Sequence, residues 1–416
     1  MSLWTPEYNV IIDGVDRSNV ALTGLVIQSG RTSIYNQPQA GYTAIQLINT
    51  ENDNFEINVN SAITIQVKDS SGDWTNIFGG KVSDVTLSVH SPGSSALVTR
   101  YDILALGSIS KLYKAIWNNS LAQDDDGDQI YTILSDLLLN TWNEVPAAET
   151  WATYNATETW NQAQDIGLGE IDRPGQYEME QRAADPIDFY TIVTQIANSA
   201  LGYIYEDANG NIGYADAAHR QSYLISNGYV ELDANAAFGV GIKTTIAQGN
   251  VVNKYVLNYG NNFNSQVTAL DQASIDEFGL YGSNVYSSIH DATDAQSVAD
   301  RQIQLRAYPR PLFDSIVFPL QNTELDSADR DALLNVFMGL PIKIVNLPAV
   351  MGGGEFTGYV EGWTFRASVG GLSLGLTVSP TEFSAVAQRW NQVNAAESWN
   401  SVLNTLEWQD AIGVIS

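Results

Sequence analysis

The densest run of chemically able side chains is Asp124-Asp125-Asp126-Gly127-Asp128, four carboxylates around one glycine. Hard cations such as calcium take oxygen ligands of this kind, but an EF-hand loop puts glycine at position 6 and a bidentate Glu at position 12. Counted from Asp124, glycine falls at position 4 and Ser135 at position 12, so a solvated loop that caps a helix fits better. Asp207-Ala208-Asn209-Gly210-Asn211 has a similar make-up and reads more simply as a hairpin turn. Nucleophilic and metal chemistry lean on cysteine and histidine; the chain has no Cys and only His90, His219 and His290, no two of them close in sequence. Gly352-Gly353-Gly354 lacks the Lys-Ser/Thr that completes a phosphate loop. No carboxylate pair stands out among the 47 Asp and Glu. The residues therefore point to no catalytic group, no metal and no cofactor, and the expectation is a protein that is not an enzyme.

The elements around these groups change character along the chain. The first hundred residues alternate apolar and polar, as in Val10-Ile11-Ile12 and Ile63-Thr64-Ile65-Gln66-Val67, and turn formers separate the runs. That predicts antiparallel strands closing a small barrel or sandwich. After Gly107 a helix follows Asp128, with Ile130, Ile133, Leu134, Leu137 and Leu138 on one face. A second helix is expected from Asp185-Pro186, burying Phe189, Ile192, Val193, Ile196 and Ala197, and a hairpin turns at Asn209-Gly210. Strands return near Ile242, interrupted by helices at Ala292 to Arg306 and Ser327 to Phe337. The predicted class is α+β and rich in β: two small antiparallel β-barrel domains (1-107 and 242-385, the latter with a helical insertion) separated by an α+β domain (108-241), then a short tail (386-416).

Two internal repeats carry more information than any single motif. Ile63-x-Ile65-x-Val67 is followed by Phe78-x-Gly80-x-Val82 and an alternating strand to Leu106; Ile342-x-Ile344 is followed by Phe356-x-Gly358-x-Val360 and Leu372-x-Leu374-x-Leu376-x-Val378. Gly80 and Gly358 fit strands that bend sharply or approach another backbone closely. The second repeat is Trp142-Asn143 to Trp151 echoed by Trp390-Asn391 to Trp399, extended by Trp160 and Trp408 at the same nine-residue period. Such indoles suit partner docking, stacking on sugar faces, or packing on the protein's own surface.

Composition excludes some functions. With 19 basic against 47 acidic residues the formal net charge is -28. A track that grips nucleic acid needs clustered Lys and Arg to release counterions, so sequence-specific nucleic-acid binding is not expected. The N-terminus lacks a signal-peptide pattern, and no apolar run reaches the length of a membrane span, so synthesis and folding in a cytoplasm are expected.

The opening, with Trp4-Thr5-Pro6, Val10-x-Ile12-x-Gly14, Ile27-x-x-Gly30-Arg31, Gln37-Pro38-x-Ala40-Gly41 and Leu47-x-Asn49, resembles the N-terminus of minor tail proteins of long-tailed bacteriophages. The later order of elements resembles baseplate hub or tail-tip proteins of tailed phages and related injection machines. The resemblance implies a homotrimeric ring in which two β-barrels per chain continue the six-fold tail tube and DNA passes through the lumen. It also implies a structural role in the virion, assembly in the host cytoplasm, and partners among the distal tail or tail tube protein, the tape measure protein and tail fibre or other tail-tip proteins. Only about 30 residues follow the second strand region, which speaks against a cell-wall-degrading or receptor-binding module of the kind many family members carry. Assembly contacts are expected on outer strands at Ile63, Ile65, Ile342 and Ile344, supported by Gly80 and Gly358, with the six tryptophans as docking anchors. Two readings stay open beside this one: a carbohydrate-binding adhesive protein using the tryptophans, and an acidic extracellular hydrolase.

Overall fold

A computed structural model describes residues 4–17, 21–50, 56–90, 98–138, 167–237, 241–246, 248–309, 311–368 and 370–381 of the chain. Alternation of apolar side chains sets the strand faces: in Ala62–Lys68 the residues Ile63, Ile65 and Val67 are buried while their neighbours face outward. Among the described residues, thirteen strands join in one mostly antiparallel sheet. No pairing among the described strands closes that sheet into a ring.

Within the sheet the chain builds one pattern twice. The first module has the order Tyr8–Ile12, Ala62–Lys68, Trp74–His90, Val98–Leu106, Tyr42–Asn49, Ala21–Gly30. The second has Val230–Asp233, Pro341–Val345, Phe356–Ser368, Gly371–Pro380, Pro311–Pro319, Lys243–Ile246. Register agrees as well as order. Ile63 pairs with Gly80 and Ile342 with Gly358, and a bulge follows at the same place in each, skipping Ser83 between Val82 and Asp84 and Glu361 between Val360 and Gly362. One difference stands out: Tyr8–Ile12 runs antiparallel to its neighbour, whereas Val230–Asp233 runs parallel. The two modules are fused where Leu25–Gly30 pairs with Gly362–Ala367, and a single apolar cluster runs from Val10 to Val378.

A second core lies between residues 109 and 307, with Ile109, Trp117, Ile133, Ile192, Tyr214, Leu257 and Val298 in it. The helix Asp126–Leu138 buries Ile130, Ile133, Leu134 and Leu138 as the periodicity predicts, with Leu137 packed at the margin. Residues 252–307, between strands of the second module, pack on this core; their helix Ala292–Arg306 is capped by Asp291, which accepts from the amides of Thr293 and Asp294. The helix expected from Asp185-Pro186 begins instead at Phe189, because Asp188 supplies the cap by accepting from Thr191 N at 2.8 Å, and Ile187–Asp188 forms a short strand. The helix from Ser327 stops at Leu334 rather than Phe337. No helix among the described residues is long and apolar enough to cross a membrane.

Candidate functional site

The residues predicted for assembly occupy two copies of one local environment. A Cβ on Gly80 would strike the carbonyl oxygen of Leu106 and the ring of Phe78; a Cβ on Gly358 would strike the carbonyl oxygen of Ser379 and the ring of Phe356. Each glycine thus lets its strand lie against the next backbone just before the bulge, as the sequence pattern predicts. Ile63, Ile65, Ile342 and Ile344 do not face outward: none exceeds 1% exposure. Their strands are not outer strands either, since Ala62–Lys68 and Pro341–Val345 are each flanked on both sides. The expectation of an exposed interface there is corrected by the alternation itself, which turns every second apolar residue of a covered sheet inward. Trp142, Trp151, Trp160, Trp390, Trp399 and Trp408 lie outside the described residues.

Where the two modules fuse, the structure gathers a charged cluster that the sequence did not announce. Gly30 sits at φ 83° with the Glu361 carbonyl and the Gly362 Cα where a Cβ would stand, so only glycine permits this approach. Arg31 N then donates to Glu361 O at 2.8 Å. The Glu361 carboxylate receives Arg31 Nε at 2.6 Å and the two terminal nitrogens of Arg220 at 2.6 and 2.8 Å, while Ser379 Oγ donates to it as well. The Tyr203 ring lies 4.4 Å from the Arg220 guanidinium and 5.2 Å from that of Arg31. Burial alone would raise the Glu361 carboxyl, but Arg220 and then Arg31 override it and hold it well below the usual carboxylate range. Arg31 comes from the first module, Glu361 from the second and Arg220 from the helix His219–Asn227, so one buried carboxylate clasps three parts of the chain.

A second buried carboxylate ties the first module to the hairpin and to the turn at Ile109 through backbone amides alone. Glu206, on the hairpin strand Tyr203–Glu206, accepts from Gly41 N at 2.6 Å and Ile109 N at 3.0 Å. Burial pushes it up to about 7, against the pull of those amides. Its folded value therefore exceeds the unfolded one, so its contribution is complete below about pH 4.5 and is lost as pH rises through about 7. Chemical denaturation is expected to show stability falling by about 2–3 kcal/mol over that window. Glu206→Gln should remove this part of the slope; a variant as pH-sensitive as the parent would reject the assignment.

The other chemically able groups are absorbed into local structure. Asp126 is fully buried, accepts from Gln176 N, Tyr177 N and Tyr214 Oη at 2.8, 2.8 and 2.5 Å, and is pushed by burial up to about 6. Asp128 pairs with Arg173 at 2.5 Å. Asp207 holds its hairpin turn through the amides of Asn209 and Asn211. His219 Nδ1 lies 2.8 Å from Asp172 Oδ2 in an open cleft, and although burial opposes it, the Asp172 hydrogen bond raises its pKa. His290 pairs with Glu180 at 2.9 Å. Among the described residues no group of three or more acids and histidines is placed to hold a metal ion.

No protein-family model matches the sequence, and no curated protein matches it. Solved structures do. The tail protein from Neisseria meningitidis MC58 superposes with a TM-score of 0.60 at 11% identity, covering 92% of this chain and 98% of its own. The 43 kDa tail protein of prophage MuSo2 from Shewanella oneidensis gives 0.56 at 10% identity, covering 91% and 99%. At such identity the likeness speaks for the fold, and it extends over nearly the whole of both relatives. In fold, this chain is similar to phage tail proteins, the group that its N-terminal residues resemble.

Proposed function

We propose that the chain is a structural, non-enzymatic tail component that assembles as a homotrimer into a baseplate hub or tail-tip ring. Its two strand modules, assigned to 1-107 and 242-385, act as barrel-like walls, so that three copies supply six equivalent positions around a channel. The observation that carries this reading is the doubled module, equal in strand order, pairing register and bulge position. A duplicated wall has a clear use where a three-fold component must meet a six-fold tube. The ring closes or extends the tail tube and lets DNA pass. A net charge of -28 per chain suits that passage, because acidic walls offer phosphate no counterion release. The α+β region 108-241, apart from Val230–Asp233 that lines the second wall, stands outside the walls, and the tail 386-416 with its tryptophans docks a neighbour. Partners are the distal tail or tail tube protein, the tape measure protein and tail fibre or other tail-tip proteins, in a virion assembled in the host cytoplasm.

Sedimentation equilibrium of the purified full chain is expected to return three times the protomer mass, with ring-shaped particles of three-fold outline in negative stain. A protein that stays monomeric across the micromolar range would overturn the proposal.

A further inference from the structure

The internal repeat names a strand pairing that one chain leaves unmade. In the second module the outer half of the strand Phe356–Ser368, residues Gly362 to Ala367, is hydrogen-bonded on one side to Gly371–Pro380 and on the other to Leu25–Gly30 of the first module. The matching half of the first module, Asp84 to Val89, pairs on one side with Val98–Leu106. On its other side no strand lies among the described residues. The strand equivalent to Ala21–Gly30 in the second module is Lys243–Ile246, which pairs with Pro311–Pro319 and ends the sheet. The chain therefore carries both halves of a second junction, at opposite ends of its sheet.

Side chains tell the same story. The register maps Trp363 and Phe365 onto Val85 and Leu87. Trp363 is 6% exposed and Phe365 fully buried under the junction, whereas Leu87 and Val89 are each 57% exposed and Ile246 is 66% exposed. An alternating apolar strand with a bare edge beside it is the form of a strand-addition site.

We propose that Lys243–Ile246 of a second copy of this chain adds to Asp84–Ser88, repeating between copies the junction that Leu25–Gly30 makes with Gly362–Ala367 within one. Carrying the register across sets Thr86 opposite Thr244 of the second copy, Val85 opposite Thr245 and Asp84 opposite Ile246. The contact is head-to-tail, so it either closes into a ring or runs on as a filament. Three copies give six alternating junctions, three within chains and three between them. This inference rests on the ring reading above and adds to it the strands that meet.

The natural chain has no cysteine, which makes a cross-link unambiguous. Thr86→Cys combined with Thr244→Cys is expected to give disulfide-linked trimers under mild oxidation, since cross-strand Cβ atoms lie about 4.5–5.5 Å apart, near disulfide range. Gln28→Cys with Thr364→Cys, paired inside one chain, calibrates the geometry. Leu87→Asp should sediment as a monomer that keeps the parent's circular dichroism spectrum and a cooperative unfolding transition, because Leu87 is exposed within a single chain. A parent trimer whose Thr86→Cys/Thr244→Cys variant fails to link between copies, while the control closes, overturns this junction and leaves the ring standing. Trimers that persist in Leu87→Asp count against the junction in the same way. A parent that is monomeric overturns both.

Discussion

Glu361→Ala is expected to be the most damaging single substitution in the chain, lowering stability by about 3–5 kcal/mol. Removing the carboxylate leaves two guanidinium groups, of Arg31 and Arg220, buried at 8% and 3% exposure with their common counter-ion gone. Breaking a buried pair from one side costs that much because the surviving charge has lost its solvent and its partner together. Here two cations survive. The sign with pH is also fixed. Glu361 is held well below its ordinary value, so its contribution is present above the unfolded carboxylate range and disappears only as pH falls through the depressed folded value. Urea titrations of the parent should therefore show the clasp intact at pH 4. A Glu361→Ala protein with an unchanged midpoint would mean that the cluster contributes no net stability.

The paired glycines come next. Gly80→Val and Gly358→Val should each cost about 3 kcal/mol or more, at or beyond the upper end for forcing atoms into a filled interior, since each new Cβ meets a backbone carbonyl that cannot rotate away. The two costs should agree closely, because the surroundings are the same by register. Gly24 provides the contrast. A Cβ there would sit 3.6 Å from the Gln46 Cβ, an ordinary contact, so Gly24→Ala should be neutral or stabilising by up to about 1 kcal/mol. Thermal and denaturant unfolding of the three variants checks this; a tolerated valine at 80 or 358 would sever the link between the repeated glycine and the repeated bulge.

Much of the sheet was legible because alternation is a local property. Ile63, Ile65 and Val67 declare a face, and the recurrence of Phe-x-Gly-x-Val declares a second copy of it. The helix Ala292–Arg306 was legible for a related reason, since its Asp291 cap and its ends are written in adjacent residues. The start near Asp185 failed because Asp188, three residues on, offers the same capping chemistry, and which acid wins depends on the pairing of Ile187–Asp188 with Ile116–Trp117. The clasp was out of reach. Arg31 and Glu361 stand 330 residues apart, and their meeting depends on two modules joining edge to edge, which no spacing encodes. One signal was available: Glu361 stands as the one charged residue in the run Tyr359 to Phe365, among Tyr359, Val360, Trp363 and Phe365, and a carboxylate buried there needs a partner. The reversal of the expected outer strands has the same root, since the partners that cover Ile342 and Ile344 include Val230–Asp233, far upstream.

That upstream strand limits how such a chain can be recombined. Because Val230–Asp233 lines the second wall from upstream of residue 242, a segment transplanted from residue 242 onward would arrive with its Ile342 edge bare. A viable chimera has to carry the donor's residues from 230. Homologous exchange inside the stretch 234–340 would unite a wall from one parent with a lining strand from another, and only parents matched at the Val230–Ile342 and Leu232–Ile344 pairs would yield folded progeny.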